Sequence, residues 1–252
     1  MATDGRPLMT IIDWSRARDS RIGYFAALYT HVEAAIAAAL ARGAFEQPAM
    51  LARVNETFLG RYIAAFDAHA DGGTPSEVWA VAFAAADETA PCVIQHLLLG
   101  MNAHINFDLA IATTDALTPD ELPAFAGDFQ RMNALLASLV GQVSADISLF
   151  WPLLRWIDRV GRRPEDAIID VSMRWARKDA WQRALRISPL SGSAREAEIE
   201  DFDAHASRLA RDLAEPPWRL RLITGAIRLM QRGTVNDQID DLLRAHPATE
   251  RA

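Results

Sequence analysis

A chain of 252 residues, 50% of them apolar and 23% charged, is long enough to bury a sizeable core and too apolar to stay disordered. Its 33 acidic against 26 basic residues leave a formal charge of -7 with no long basic run, which argues against a surface that tracks a nucleic-acid backbone. The single Cys92 excludes an internal disulfide and a thiol-rich zinc cluster and suits a reducing compartment.

The N-terminal run M-A-T-D-G-R-P-L-M-T-I-I-D-W-S-R lacks the basic start and apolar core of a secretory signal, and no stretch reaches about 18 uninterrupted apolar residues. A soluble, cytoplasmic protein is the expectation. Alanine-rich segments with apolar residues three and four apart, and no sustained Val/Ile/Thr alternation, predict an all-α fold. The first long helix is expected over Ser20 to Arg42, stopping at Gly43, and the second over Pro48 to Ala70, closed by D-G-G. Thr74-Pro75-Ser76-Glu77 and Thr118-Pro119-Asp120-Glu121 both read as capping boxes, and they frame a helix from Pro91 to Asp115. Further helices are expected over Leu122 to Leu149, Trp151 to Val160, Pro164 to Ile187, Ala194 to Leu213, Pro217 to Arg232 and Val235 to Ala245. The connections S-P-L-S-G-S and E-P-P are too short for domain linkers, so residues 1–252 read as one helical domain with the helices from about 194 folded onto the body.

The chemistry concentrates in Q-H-L-L-L-G-M-N-A-H-I-N-F-D-L-A, Gln95 to Ala110, where two His, two Asn and one Asp interrupt an apolar run. In a regular α-helix His104 and Asp108 lie one turn apart on one face, and Asn102 and Asn106 form a second pair on the opposite side. Leucine, isoleucine and phenylalanine in every other direction predict a helix buried all round, so each polar group needs a partner. Gly100, on the His104 face, leaves room for a close neighbour or a ligand. His96 lies about 12 Å from His104 along a continuous helix, too far to share a metal ion, so a third ligand would have to come from His31, Asp67, His69 or His205.

The run G-M-N-A-H-I-N-F-D-L, Gly100 to Leu109, resembles the hallmark of an uncharacterised bacterial family known only as a domain of unknown function. F-L-G-R-Y (Phe58 to Tyr62), V-W-A-V-A-F (Val78 to Phe83) and R-K-D-A-W (Arg177 to Trp181) fit the same family. That resemblance implies a helical fold and carries no reaction, cofactor or catalytic residue. By spacing alone, Phe58, Tyr62 and Phe66 read as core, and Arg61 beside them as able to reach a carboxylate.

The leading expectation is a small-molecule enzyme in which His104 is the general acid/base, Asp108 orients it, and Asn102 or Asn106 binds a substrate oxygen. A non-catalytic ligand-binding or structural helical protein is the alternative, and a metal-dependent hydrolase the third reading. No motif identifies a cofactor, and no metal ligands are assigned. A small-molecule partner is expected rather than nucleic acid or membrane. The helix from Pro217 sets Arg221, Arg228 and Arg232 apart from Leu220, Ile223, Ile227 and Met230; it reads as docked on the body with its arginines in solvent, rather than lying on an anionic bilayer.

Overall fold

The computed structural model describes residues 6–150 and 179–244. Among the described residues every regular element is a helix: α1 (Arg6–Arg16), α2 (Ile22–Ala41), α3 (Pro48–Ala70), α4 (Glu77–Asp87), α5 (Val93–Asn102), a π-helical segment (Ala103–Asp108), α6 (Leu109–Ala116), α7 (Leu122–Phe150), helical residues 179–187, α8 (Gly192–Ala214), α9 (Trp218–Met230) and α10 (Val235–Arg244). The all-α class and most boundaries follow the sequence pattern. The helix expected over Trp151 to Val160, and the first part of the one from Pro164, lie outside the described residues.

Two features differ from expectation. α1 has no counterpart among the predicted helices, although Leu8, Ile11, Ile12 and Ser15 recur at helical spacing and form its buried face; the run spans only three turns. The start of α4 is also built differently. Ser76 makes no capping bond, and the amides of Glu77 and Val78 donate instead to the two carboxylate oxygens of Asp203 on α8, each at 2.8 Å. A cap from a distant helix satisfies the same orphan N–H groups as a local box.

α5, the π segment and α6 form one rod through the centre, packed by α2, α3, α4 and α8. Burial is nearly continuous along it, as its apolar surround requires. α2 is long and apolar enough by composition to cross a membrane, yet Tyr24, Phe25, Ala26, Ala27, Tyr29 and Ile36 are buried and α1, α5 and α10 pack against it.

Helices α2 and α5 approach closely at Gly100. A Cβ there would run into the Cβ and ring carbons of Phe25. Gly100→Ala is therefore expected to destabilise by about 1–3 kcal/mol through overpacking, outweighing the roughly 1 kcal/mol of helix propensity that alanine adds. Urea unfolding checks the sign, and a variant more stable than the parent would refute the close packing.

Candidate functional site

The run Ala103–Asp108 is π-helical rather than α-helical. A π turn admits an extra residue, and such turns are frequent at functional sites. His104 and Asp108 still meet across it: Nδ1 of His104 lies 3.3 Å from Oδ2 of Asp108, and both side chains are 2% exposed.

Three elements converge on the Asp108 carboxylate. Nε of Arg61, from α3, donates to Oδ1 at 2.8 Å, and Nε1 of Trp79, from α4, donates to Oδ2 at 2.8 Å. Arg61 also reaches Asp115 at 3.8 Å. Since a carboxylate only accepts, Nδ1 of His104 carries the ring proton and Nε2 keeps its lone pair. That Nε2 atom is buried and has no hydrogen-bond partner in the protein.

Aromatic rings enclose the imidazole. Phe58 stacks on it at 3.5 Å between centroids, with planes 7° apart; Tyr29 meets it edge-on at 4.8 Å, and Phe25, Tyr62 and Trp79 stand at 5.8, 6.0 and 6.2 Å. The hydroxyls of Tyr29 and Tyr62 are buried and, like Nε2, have no protein partner. Burial pulls the His104 pKa below that of a free imidazole, with the Arg61 charge adding to the fall, while its hydrogen bond to Asp108 and that carboxylate's charge resist it. Burial pushes both phenols up, and for Tyr29 the charges of Glu33 and Asp108 add to the rise. The cluster therefore combines a neutral imidazole with two protonated phenols whose rings contact it.

Asn102 and Asn106 do not join this cluster. Nδ2 of Asn106 donates to Oδ1 of Asn102 at 2.8 Å, and Nδ2 of Asn102 donates to the carbonyl of Ala206 at 2.9 Å, so the pair fastens the rod to α8. The other histidines stand elsewhere. His31 bonds the Leu242 carbonyl at 2.8 Å, His69 packs between Trp14 and Phe83, and His205 is exposed, as is Asp67. Among the described residues, no group of three or more His, Cys, Asp or Glu side chains is placed to hold a metal ion. Phe25, Tyr29 and Trp79 are the site residues that spacing did not reveal, because they arrive from α2 and α4.

His96 is buried against Tyr24, and burial with the Arg21 charge lowers its pKa from 6.5 to about 4. A folded-state pKa below the unfolded value means that the unfolded chain binds more protons between the two. Stability should therefore fall as pH drops from 6.5 to 4, by about 3 kcal/mol from this group. Urea midpoints at pH 7 and pH 4.5 should differ less in His96→Phe than in the parent; an equal difference would rule the group out as the cause.

No curated protein and no solved structure matches the chain. The model of the family of unknown function DUF5995 matches residues 6–216, from the first turn of α1 past the end of α8, and the chain belongs to that family.

Proposed function

We propose that the protein is a small-molecule enzyme in which His104 acts as general base and acid. Asp108 holds the imidazole in its Nδ1–H tautomer, and Tyr29 and Tyr62 donate to the oxygen of a bound substrate. The observation that carries this reading is the buried His104 Nε2, which has no protein partner, together with the Tyr29 and Tyr62 hydroxyls, in the same condition on rings that contact the imidazole. Native interiors rarely leave buried polar atoms unpaired, and three on rings in mutual contact support the reading that a polar molecule is received there. With the asparagines engaged by α8, the tyrosines take the oxygen-binding role. A neutral imidazole can accept a proton as it leaves carbon or oxygen, while the phenols stabilise charge that develops on that oxygen.

A structural reading draws on a different observation, that the one Asp108 side chain is hydrogen-bonded to α3, α4 and the π segment at once. His104→Phe separates the two. Phenylalanine keeps an aromatic ring among the others and removes the orphan nitrogen, while Arg61 and Trp79 still hold Asp108. Metabolite extracts incubated with the parent protein are expected to show a substrate consumed and a product formed, with turnover about 10²–10⁴-fold lower in His104→Phe at a similar melting temperature. Identical extract profiles for the two proteins would defeat the enzyme reading.

A further inference from the structure

A second region, distinct from the His104 cluster, has an unusual surface. An open groove of about 680 Å³ runs between the loop before α5 and the helix α9, walled by Ala90, Pro91, Ala214, Pro216, Leu222 and Leu229. Its volume lies within the roughly 300–1,000 Å³ of small-molecule sites.

The helix that forms one wall is turned with apolar residues outward. At about 100° per residue, Trp218, Leu222 and Leu229 fall within about 40° of one another, and Ile227 points the opposite way. The first three are 62%, 67% and 89% exposed, whereas Ile227 is buried in the body. Nε of Arg228 donates to the carbonyl of Thr89 at 2.9 Å, which holds α9 in this rotation.

The charge is equally one-sided. Residues 216–236 hold Arg219, Arg221, Arg228 and Arg232 and no acidic residue, in a chain whose net charge is -7. Arg221 and Arg228 line the groove, against one carboxylate, Glu215. Behind the wall, the buried Cys92 lies in the field of Arg228, and the buried His96 in the fields of Arg21 and Arg228. Nε2 of His96 has no protein partner.

We propose that this groove binds an amphipathic monoanion, a carboxylate carrying an aliphatic or aromatic body. The hydrocarbon lies along Leu222 and Leu229, and the carboxylate pairs with Arg221 and Arg228. Charge decides among the possible occupants. A second copy docked α9 to α9 would set arginine against arginine, and an anionic bilayer would be repelled by the acidic body while leaving a concave wall unfilled. An uncharged hydrocarbon would cover the leucines and leave the guanidiniums without a counter-ion.

The test uses the full chain and the fluorescent probe 11-(dansylamino)undecanoate. Saturable binding displaced by decanoate is expected, with decanol about tenfold weaker, and Arg221→Gln should weaken decanoate by a similar factor. A Cβ at Gly225 would meet no atom within 4 Å, and Gly225 lines the groove. Gly225→Leu should therefore fill the groove and abolish probe binding, with the melting temperature unchanged or raised. Equal displacement by decanol and decanoate, or unimpaired binding in Gly225→Leu, would overturn the proposal. So would flotation with phosphatidylglycerol vesicles by a protein that ignores decanoate, since that identifies a membrane-facing helix.

Discussion

Replacing Asp108 with alanine is expected to cost about 3–5 kcal/mol of folding stability, enough to leave little folded protein at 37 °C. The side chain is 2% exposed and accepts from Arg61, Trp79 and His104. Its removal strands a buried indole N–H and an imidazole N–H, and leaves the Arg61 guanidinium with the longer 3.8 Å contact to Asp115 and the face of Phe107. Asp108→Asn should lose less, because the amide oxygen still accepts one of the donors while the amide nitrogen must face another. Denaturant titration of the two variants checks the order, Ala below Asn below parent. An alanine variant within 1 kcal/mol of the parent would mean that the three helices are joined by packing alone. The prediction concerns the fold, so it holds whether or not the site is catalytic; that question rests with His104→Phe, which leaves Asp108 its two strong donors.

The all-α class and the buried rod were legible because they depend on periodicity. Leu97 to Ile111 surround the helix with apolar side chains, and such a helix has only the interior to occupy. The meeting of His104 with Asp108 was legible for the same reason, since it is a contact within one turn. The π segment was not: an extra residue in a turn changes hydrogen bonding without changing which residue types are apolar. What surrounds His104 was legible only in part. Phe58 and Tyr62 were placed in the core and Arg61 was given a carboxylate to reach, but that this carboxylate is Asp108 depends on how α3 crosses the rod. Tyr29 and Trp79 come from elements 75 and 25 residues away in the chain, and no spacing rule reaches that far. The asparagines show the opposite limit: spacing paired Asn102 with Asn106, but only the position of α8 shows that Ala206 takes up their remaining amide.

The entry into α3, which carries Phe58, Arg61 and Tyr62, is tied to a carboxylate outside the site. Asp128, on α7, is 1% exposed and accepts from the backbone amides of Glu46 and Gln47 at 3.0 and 2.5 Å, the two residues that lead into α3. Arg131 donates to the same carboxylate at 2.7 Å and also pairs with Glu46. Burial alone would raise the Asp128 pKa, but the two amides and the Arg131 guanidinium favour the charged form more strongly, and the net direction is downward. A carboxyl held below its usual 3.8 stabilises the fold above that pH, and the contribution is lost as pH falls through the folded-state value. Asp128→Ala is expected to cost about 2–3 kcal/mol at pH 7, because two backbone amides lose their acceptor and Arg131 keeps only its exposed pairing with Glu46 among the described contacts. The deficit should shrink when parent and variant are compared at pH 3, because the parent is then losing the same charge. Amide exchange should accelerate in the first turns of α3 ahead of the central rod. If exchange rises uniformly across the molecule, Asp128 acts on global stability and does not set the position of α3 over His104.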